Sequence, residues 1–310
     1  NIERAYTMLS NDLEKITSIE ISELAPQILE LTPLTVAVPG FYKLEGEYPT
    51  IQSFANVVKI IDSQKNPKKM KINGSDGKIY KYLLKGKEDL RLDQRIMQFF
   101  SLSNSLLRAD KNGIEKILFI EMYAIIPLSP LAGMISWAEN SKTYYKLITF
   151  YTRIKQQIIA SEASDSSQMV NLAHFEANSL YPLQKDHFKL NNIQRLEVYQ
   201  NNCQFYDDIA LREAIWVQSN GPEMWFIQKT NFARSNGLMS IVGYIVGIGD
   251  RHLSNIMFMK TNGHCVHIDF SECFEKATKW KIWPERVPFR LTRMMVKAFG
   301  VSGVEGDFRL

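Results

Sequence analysis

The pattern of apolar and polar residues predicts a chain whose first half is rich in strands and whose second half is mainly helical. The runs 55–62 ("ANVVKIID") and 78–85 ("KIYKYLLK") contain the β-branched and aromatic residues typical of strands, and polar turns flank them. Between 88 and 107, apolar residues recur on one side of a predicted amphipathic helix: Ile96, Phe99, Phe100 and Leu107. After Trp137 the pattern is mainly helical as far as Ile248. A strand-rich half followed by a helical half predicts an α+β fold with a cleft between two lobes.

Two further segments have patterns that predict regular structure. Residues 1–31 carry apolar residues at spacings of three and four, which predicts helix. Residues 116–129 ("KILFIEMYAIIPLS") form an apolar run that predicts two consecutive strands or one bent strand.

The segment 255–270 ("NIMFMKTNGHCVHIDF") predicts a β-hairpin, because two short apolar strands flank Asn262-Gly263. A two-residue turn at this dipeptide would place Asn255 opposite Phe270, with Asp269 one position away. Asn255 and Asp269 would then emerge at the same open end of the hairpin, about 5–8 Å apart.

Polar residues with catalytic or ligating chemistry are concentrated at this end. An amide oxygen from Asn255 and a carboxylate from Asp269 suit a hard divalent cation, particularly Mg²⁺ held together with nucleotide phosphates. The preceding stretch 249–258 ("GDRHLSNIMF") adds Asp250, which could accept a proton from an attacking hydroxyl, and His252, which could support developing negative charge. The same residue types are also common as turn and cap residues, so the pattern alone leaves a structural role open.

Composition narrows the class of protein. A length of 310 residues is enough for two lobes, each with its own core. The net charge of +4 is too small to indicate nucleic-acid binding. The three cysteines show no paired spacing, which favours a reducing compartment. No apolar run approaches the roughly 18 residues that span a bilayer, so a soluble intracellular chain with at most peripheral membrane association is expected.

The motif "GDRHLSNIM" followed by "HIDF" resembles the catalytic and metal-binding loops of the phosphatidylinositol 3-kinase-related kinases, and within them those of the target-of-rapamycin (TOR) kinases. Other segments resemble TOR kinases in the same order: "LTPLTVAVPG", "LLKGKEDLRLDQRIMQ", "AIIPLS", "EMWF", "TNFARS", "MSIVGYIVGIGDRH", "CFEKA" and "PERVPFRLTRMM". The resemblance covers the chain from about Leu31 onward. It implies a bilobal PI3K/PI4K-related kinase fold and a serine/threonine protein kinase that transfers the ATP γ-phosphoryl group to protein hydroxyls in growth and nutrient signalling.

The resemblance also implies a domain organisation. Residues 1–31 would be the end of the helical rapamycin-binding (FRB) domain, 32–136 the N-lobe, 137–141 the hinge and 142–310 the C-lobe. The C-terminal FATC segment of these kinases would be absent.

Site residues are carried over position by position from the resemblance. Asp250 would be the catalytic base or would orient the substrate hydroxyl, His252 would stabilise charge on the phosphoryl group, and Asn255 and Asp269 would hold Mg²⁺ or Mn²⁺. Lys85 would contact the ATP phosphates. The other residues implied for ATP binding are Glu88 and Asp93, which could orient Lys85, Ser63 and Lys65 in the phosphate-binding loop, Trp137 stacking on adenine, and Tyr123, Met257 and Ile268 lining the pocket.

The resemblance further implies protein substrates and a large TOR-type complex, with scaffold subunits and a β-propeller subunit on the C-lobe. It implies a cytoplasmic location that extends to lysosomal or vacuolar surfaces. Two alternatives remain. A phosphoinositide lipid kinase shares the same motifs, although Lys276, Lys279 and Lys281 are spaced more widely than a lipid-gripping cluster requires. A pseudokinase scaffold is the other, because Ser271 replaces the family glycine after Asp269-Phe270.

Overall fold

The computed structural model describes residues 16–30, 33–63, 65–162, 191–205, 208–281 and 284–309. The chain divides into two compact units. The first comprises residues 1–139 together with 269–271, and the second comprises 140–268 together with 272–310. The division falls inside the segment 137–141 predicted as the hinge, while the assignment of hinge, lobes and a rapamycin-binding remnant stays a prediction.

The first unit is built on an antiparallel sheet, with two short helices after its first strand and a long helix after its fifth strand. The helices are α1 (Ile21–Leu24), α2 (Pro26–Glu30), α3 (Arg91–Ala109) and α4 (Lys111–Glu115). The strands are β1 (Ser18–Glu20), β2 (Ile51–Phe54), β3 (Val57–Ile60), β4 (Lys68–Gly74), β5 (Ile79–Gly86), β6 (Ile125–Ser129) and β7 (Ala132–Ser136). Their order in the sheet is β1-β3-β4-β5-β7-β6, and β2 also pairs with β4.

The core of the first unit follows from alternation along its strands. Ile72 in β4 and Tyr82 in β5 are buried with Val38, Ile51 and Met134. Successive strand residues point to opposite faces, so Lys81 and Lys85 lie on the other face of the sheet from Tyr82. This alternation places Lys85 away from the apolar core, on a face where it can meet a ligand.

The second unit combines helices with a small sheet of order β10-β9-β8. Its strands are β8 (Ser141–Thr143), β9 (Ile256–Met259) and β10 (Cys265–His267). Its helices are α5 (Tyr144–Glu162), α6 (Asn192–Phe205), α7 (Ala210–Gln218), α8 (Pro222–Val246) and α9 (Arg293–Ala298).

Helix α8 is the central element of the second unit. It begins with a proline in its first turn and ends at Gly247, whose left-handed conformation (φ 62°) stops the helix. The fully buried ring of Phe232 in α8 packs against Tyr144, Phe258 and Phe299, which come from three other parts of the unit. The loop that starts at Gly249 therefore follows a helix that is held in place by its packing.

The prediction of helix across residues 1–31 is wrong in part. Residues 1–15 and 31 lie outside the described residues. Within the described part, Ser18–Glu20 is a strand that pairs antiparallel with β3. The strand forms where the backbone of β3 is available for pairing, and helices α1 and α2 follow it.

The strand predicted across 116–129 is limited to Ile125–Ser129. Upstream, the backbone of Ile120 bonds to the side chain of Asn104 in α3, donating to Oδ1 at 2.7 Å and accepting from Nδ2 at 2.9 Å. A buried side-chain amide therefore satisfies this backbone in place of a neighbouring strand.

The predicted two-residue turn in the β9–β10 hairpin is wrong. Met257 pairs with Val266, so Asn255 lies opposite Ile268, two positions from the predicted partner. Residues 260–263 form a longer loop in which Gly263 (φ 85°) packs against the backbone of Gln228 in α8. A Cβ at position 263 would lie 2.3 Å from the Gln228 carbonyl oxygen, so contact with α8 determined the turn.

Among the described residues, no helix is both long enough and apolar enough to cross a bilayer.

Candidate active site

The first cluster of predicted site residues lies in the first unit, around Lys85 near the end of β5. Lys85 Nζ lies 3.4 Å from Glu88 Oε1, and the Lys65 ammonium lies 3.3 Å from the other carboxylate oxygen of Glu88. The Lys85 and Glu88 side chains are only 16% and 11% exposed, so this pair is less screened than a surface ion pair. Glu88 thus lies beside the Lys85 ammonium group, and its role in orienting Lys85 stays a prediction. Ser63 lies in the same β3–β4 connection as Lys65, and its carbonyl accepts a hydrogen bond from Asn66.

Asp93 has a different partner from the one expected. Its carboxylate accepts a hydrogen bond from the backbone N–H of Phe270 at 3.2 Å. Burial raises the pKa of Asp93, while the Phe270 hydrogen bond and the charge of Lys85 lower it. Asp93 thus acts on Lys85 through its charge and holds the segment that contains Asp269 through a hydrogen bond.

The segment 269–271 is anchored to α3 by packing as well. The Phe270 ring is fully buried and meets Phe100 of α3 edge to face, with ring centroids 5.6 Å apart. Asp269 adopts a left-handed conformation (φ 61°), whereas Ser271 does not have a positive φ. Glycine at position 271 would therefore relieve no backbone strain. The left-handed conformation is found at Asp269 instead, and aspartate tolerates the left-handed region better than most residues.

The second cluster lies in the second unit, in the loop between α8 and β9. Asn255 Nδ2 donates to the carbonyl of Asp250 at 2.9 Å and lies 3.3 Å from Asp250 Oδ2. His252 Nε2 lies 3.9 Å from the same carboxylate oxygen. The loop thus brings Asp250, His252 and Asn255 together, which its spacing in the sequence predicted.

Exposure differs within this loop in a way that suits separate roles. The side chains of His252 and Asp250 are 54% and 34% exposed, whereas Asn255 is buried. Because only the amide nitrogen of Asn255 can donate to Asp250, its Oδ1 must point elsewhere and keeps its capacity to accept or ligate. The exposed pair can therefore meet a substrate, while the buried amide is held in one orientation.

Two residues that shape this loop were not singled out by the sequence. Arg251 is buried, and its guanidinium donates to the carbonyls of Gly249 and Ile268, each at 2.8 Å. Glu285 accepts the backbone N–H of Asp250 at 2.8 Å. The bonds to Ile268 and Glu285 join distant residues, so no local spacing predicts them. The bond from Arg251 to Gly249 is local, and a buried arginine beside a proton acceptor could have been suspected from "GDRH".

The residues predicted to contact adenine are distributed over both units. Trp137 and Tyr123 belong to the first unit, and Met257 and Ile268 belong to the second. Trp137 is 36% exposed, and Lys69 Nζ lies 3.7 Å from the centroid of its ring, so one face of the indole already carries a cation–π contact. Met257 is half-buried in β9, with its sulfur 3.8 Å from Ser141 Oγ.

Within the described parts of the chain, no group of three or more His, Cys, Asp and Glu side chains is arranged to hold a metal ion. The two predicted metal ligands are of another kind: the amide of Asn255 and the carboxylate of Asp269. Both are hard oxygen donors, which is the donor type that Mg²⁺ and Mn²⁺ prefer when phosphates complete their coordination.

Comparison with known proteins identifies the family. The family described as "Phosphatidylinositol 3- and 4-kinase" matches residues 79–310. The chain is 38% identical to the serine/threonine-protein kinase TOR of Arabidopsis thaliana and 37% identical to TOR2 of Saccharomyces cerevisiae, in each case over 98% of the chain. The chain spans 12% of the length of each of these relatives.

A solved structure supports the same assignment. The chain described as "FAT and kinase domain of CtTel1" superimposes with a TM-score of 0.76 at 28% identity, over 95% of this chain and 20% of that one. This chain belongs to the phosphatidylinositol 3- and 4-kinase family, and the predicted α+β kinase fold is confirmed. Kinases of this family use ATP with a divalent metal ion.

Proposed function

We propose that this chain is the catalytic part of a TOR-type serine/threonine protein kinase. The observation that carries the proposal is the loop in which the Asp250 carboxylate lies within 3.9 Å of His252 and 3.3 Å of Asn255. One loop thus presents a proton acceptor, a charge-stabilising imidazole and a potential metal ligand, on a chain similar over nearly its whole length to TOR kinases.

In the proposed reaction, Asp250 accepts the proton of the attacking serine or threonine hydroxyl. Its carboxylate is one-third exposed, so it can reach a substrate, and the Asn255 amide holds its orientation. His252 supplies a polar N–H near the transferring phosphoryl group. Such groups contribute mainly by position and charge, because phosphoryl transfer requires little covalent chemistry from the protein.

Lys85 binds ATP phosphates in this proposal, with Glu88 holding its ammonium group. Lys65 and Ser63 belong to the phosphate-binding loop, and Trp137, Tyr123, Met257 and Ile268 contact adenine.

Asn255 and Asp269 would hold Mg²⁺ or Mn²⁺. A bound divalent ion would neutralise charge on the phosphate oxygens. The donor set supports this role, since the amide oxygen of Asn255 remains available to ligate and Asp269 is anchored through Phe270.

Protein substrates are proposed over phosphoinositides. Relatives from Arabidopsis thaliana and Saccharomyces cerevisiae that match 98% of this chain are named serine/threonine-protein kinases. In the activation segment (residues 271–293), Lys276, Lys279 and Lys281 are exposed and are spaced along a 3₁₀ turn and the residues after it, which supports a protein substrate over an inositol phosphate.

We further propose that the full-length protein works in a large TOR-type complex with scaffold subunits and a β-propeller subunit on the second unit. The proposed location is the cytoplasm, including lysosomal or vacuolar surfaces. Ile241, Tyr244 and Ile245 share one side of α8 and are 59%, 65% and 66% exposed. Such an apolar face supports burial in a larger assembly.

The test compares the full-length protein with its Asp250→Asn and Asp269→Ala variants, using Mg-ATP with serine/threonine peptides and with phosphatidylinositol vesicles. Asp250→Asn should leave ATP affinity nearly intact and lower kcat by roughly 10²–10⁴, the scale of a lost acid–base group. Asp269→Ala should abolish productive use of metal-bound ATP. Transfer to lipid alone would favour the lipid kinase, and an unmodified protein as inactive as Asp269→Ala would indicate a scaffold.

A further inference from the structure

The backbone of Asp250 is held by a side chain from the activation segment. Its N–H donates to Glu285 Oε1 at 2.8 Å, across 35 positions of the sequence. The carbonyl of the same residue accepts from Asn255 Nδ2 at 2.9 Å. Both polar groups of the Asp250 backbone are therefore engaged by side chains.

This backbone has a conformation that is uncommon for a residue other than glycine. Asp250 has φ 57°, in the left-handed region, which aspartate tolerates better than most residues and which the bonds to Glu285 and Asn255 help to hold. In this region, a change of φ would redirect the carboxylate. The hydrogen bond that the Asp250 N–H donates to Glu285 acts directly at the bond about which φ rotates.

The approach of Glu285 requires a glycine immediately before Asp250. A Cβ at Gly249 would lie 2.4 Å from the Ala277 Cβ and 3.0 Å from Glu285 Oε2. Gly249 also donates its N–H to the carbonyl of Glu272 at 2.7 Å. The activation segment therefore packs directly on the backbone of the catalytic loop.

Glu285 is itself positioned within the segment. Its backbone N–H donates to the carbonyl of Ala277 at 3.1 Å, and Ala277 is buried. Its negative charge also faces Arg290, where it opposes the lowering of the arginine pKa that burial causes. Glu285 could thus act through its hydrogen bond with Asp250 or through its charge on Arg290. A variant that keeps an oxygen acceptor but removes the charge distinguishes these two roles.

We infer that Glu285 is a positioning residue for the phosphoryl-transfer reaction: its carboxylate holds the left-handed backbone of Asp250 and so aims the Asp250 side chain at the substrate hydroxyl. This inference rests on the proposed kinase function. It makes the placement of Asp250 depend on the position of Glu285, which is itself tied to Ala277 in the activation segment.

The test uses three variants of the full-length protein. Glu285→Ala removes the acceptor, and Glu285→Gln keeps an oxygen acceptor while removing the charge. Glu272→Ala is the matched control, since it removes a hydrogen bond of the same segment, from Trp280 Nε1 to Glu272 Oε2 at 3.1 Å, without changing the acceptors of the Asp250 backbone. The measurements are kcat and KM for ATP with a serine/threonine peptide, and hydrogen exchange of the amides in residues 249–255.

Glu285→Ala should lower kcat about 10- to 100-fold, with KM for ATP changed less than threefold, because misplacement of a reacting group affects the chemical step. Exchange in 249–255 should quicken at least tenfold. Glu285→Gln should recover kcat to within about fivefold of the unmodified protein, and Glu272→Ala should stay within twofold.

An equal loss of kcat in Glu285→Gln and Glu285→Ala would overturn the inference in favour of a charge effect on Arg290. An equal loss in Glu272→Ala would reduce Glu285 to a general contributor to the stability of the segment. Unchanged exchange in Glu285→Ala would show that the hydrogen bond does not hold the loop. The exchange measurement needs no turnover, so an inactive unmodified protein would contradict the proposed function alone.

Discussion

Replacing Asp93 with alanine removes the acceptor that ties the Asp269–Phe270 segment to α3. In the unmodified protein, Phe270 N–H donates to Asp93 Oδ1 at 3.2 Å, and the two residues are 0% and 5% exposed respectively. In the variant, the amide of Phe270 would lose this acceptor. We therefore expect Asp269 to lose its fixed position.

The size of the effect follows from the type and length of this bond. A hydrogen bond to a charged group contributes about 1.5–3 kcal/mol. The distance of 3.2 Å is long for a charge-assisted bond, which favours the lower part of that range, about 1.5–2 kcal/mol. If this energy is needed to hold Asp269 for metal binding, the half-saturating Mg²⁺ concentration should rise about 10- to 30-fold.

The assay is Mg²⁺ titration of phosphoryl transfer at fixed ATP, with hydrogen exchange at Phe270 as a second measurement. Asp93→Asn is the informative companion, because its amide oxygen can accept the same bond, and it should shift the titration less than threefold. Asp89→Ala is the control. Asp89 lies just before α3, but its carboxylate pairs with Arg91 at the surface, so its loss should leave the titration unchanged within twofold.

Two results would refute this reasoning. A normal Mg²⁺ titration for Asp93→Ala would show that the Phe270 bond does not position Asp269. Equal damage from Asp93→Asn and Asp93→Ala would show that the charge of Asp93 matters and its hydrogen bond does not.

Three further predictions concern single positions. Ser271→Gly should change kcat less than about tenfold, because Ser271 has no positive φ for glycine to relieve. His264 is buried and its pKa is lowered from 6.5 to about 4, so its contribution to stability is complete above pH 6.5 and is lost as the pH falls toward 4. The loss should reach roughly 3 kcal/mol, and His264→Gln should flatten this acid limb of the pH-dependent thermal midpoint. Gly263→Ala should lower the unfolding free energy by about 3 kcal/mol or more, because the new Cβ meets the Gln228 backbone at 2.3 Å. Gly77→Ala has a similar positive φ of 75° and open space around it, so it should cost only about 1–2 kcal/mol in the same urea unfolding experiment.

Each of these has a clear contrary outcome. Restoration of an otherwise absent activity by Ser271→Gly would support the scaffold alternative. An unchanged acid limb in His264→Gln would assign the pH dependence to other groups. Equal costs for Gly263→Ala and Gly77→Ala would mean that the clash with Gln228 is relieved by a shift of the loop.

Local patterns were sufficient for the elements that carry the site. The strand-like pattern of residues 78–85 predicted β5, and helical periodicity predicted α3, where Ile96 and Phe100 are buried. The short spacing of Asp250, His252 and Asn255 predicted that their side chains lie close together, because all three belong to one loop of six residues. These features depend on neighbours in the sequence, so the sequence contains most of the information that determines them.

Contacts between distant residues decided the rest. Gln228 sets the hairpin turn by meeting Gly263, and Asp93 binds the amide of Phe270 across 177 positions. Glu285 reaches the backbone of Asp250 from the activation segment. No periodicity encodes these partners, because each depends on how complete elements pack. The sequence by itself determined which groups are present and near one another along the chain, and tertiary packing decided which backbone each group holds, since a buried polar group must find its partner wherever the fold places one.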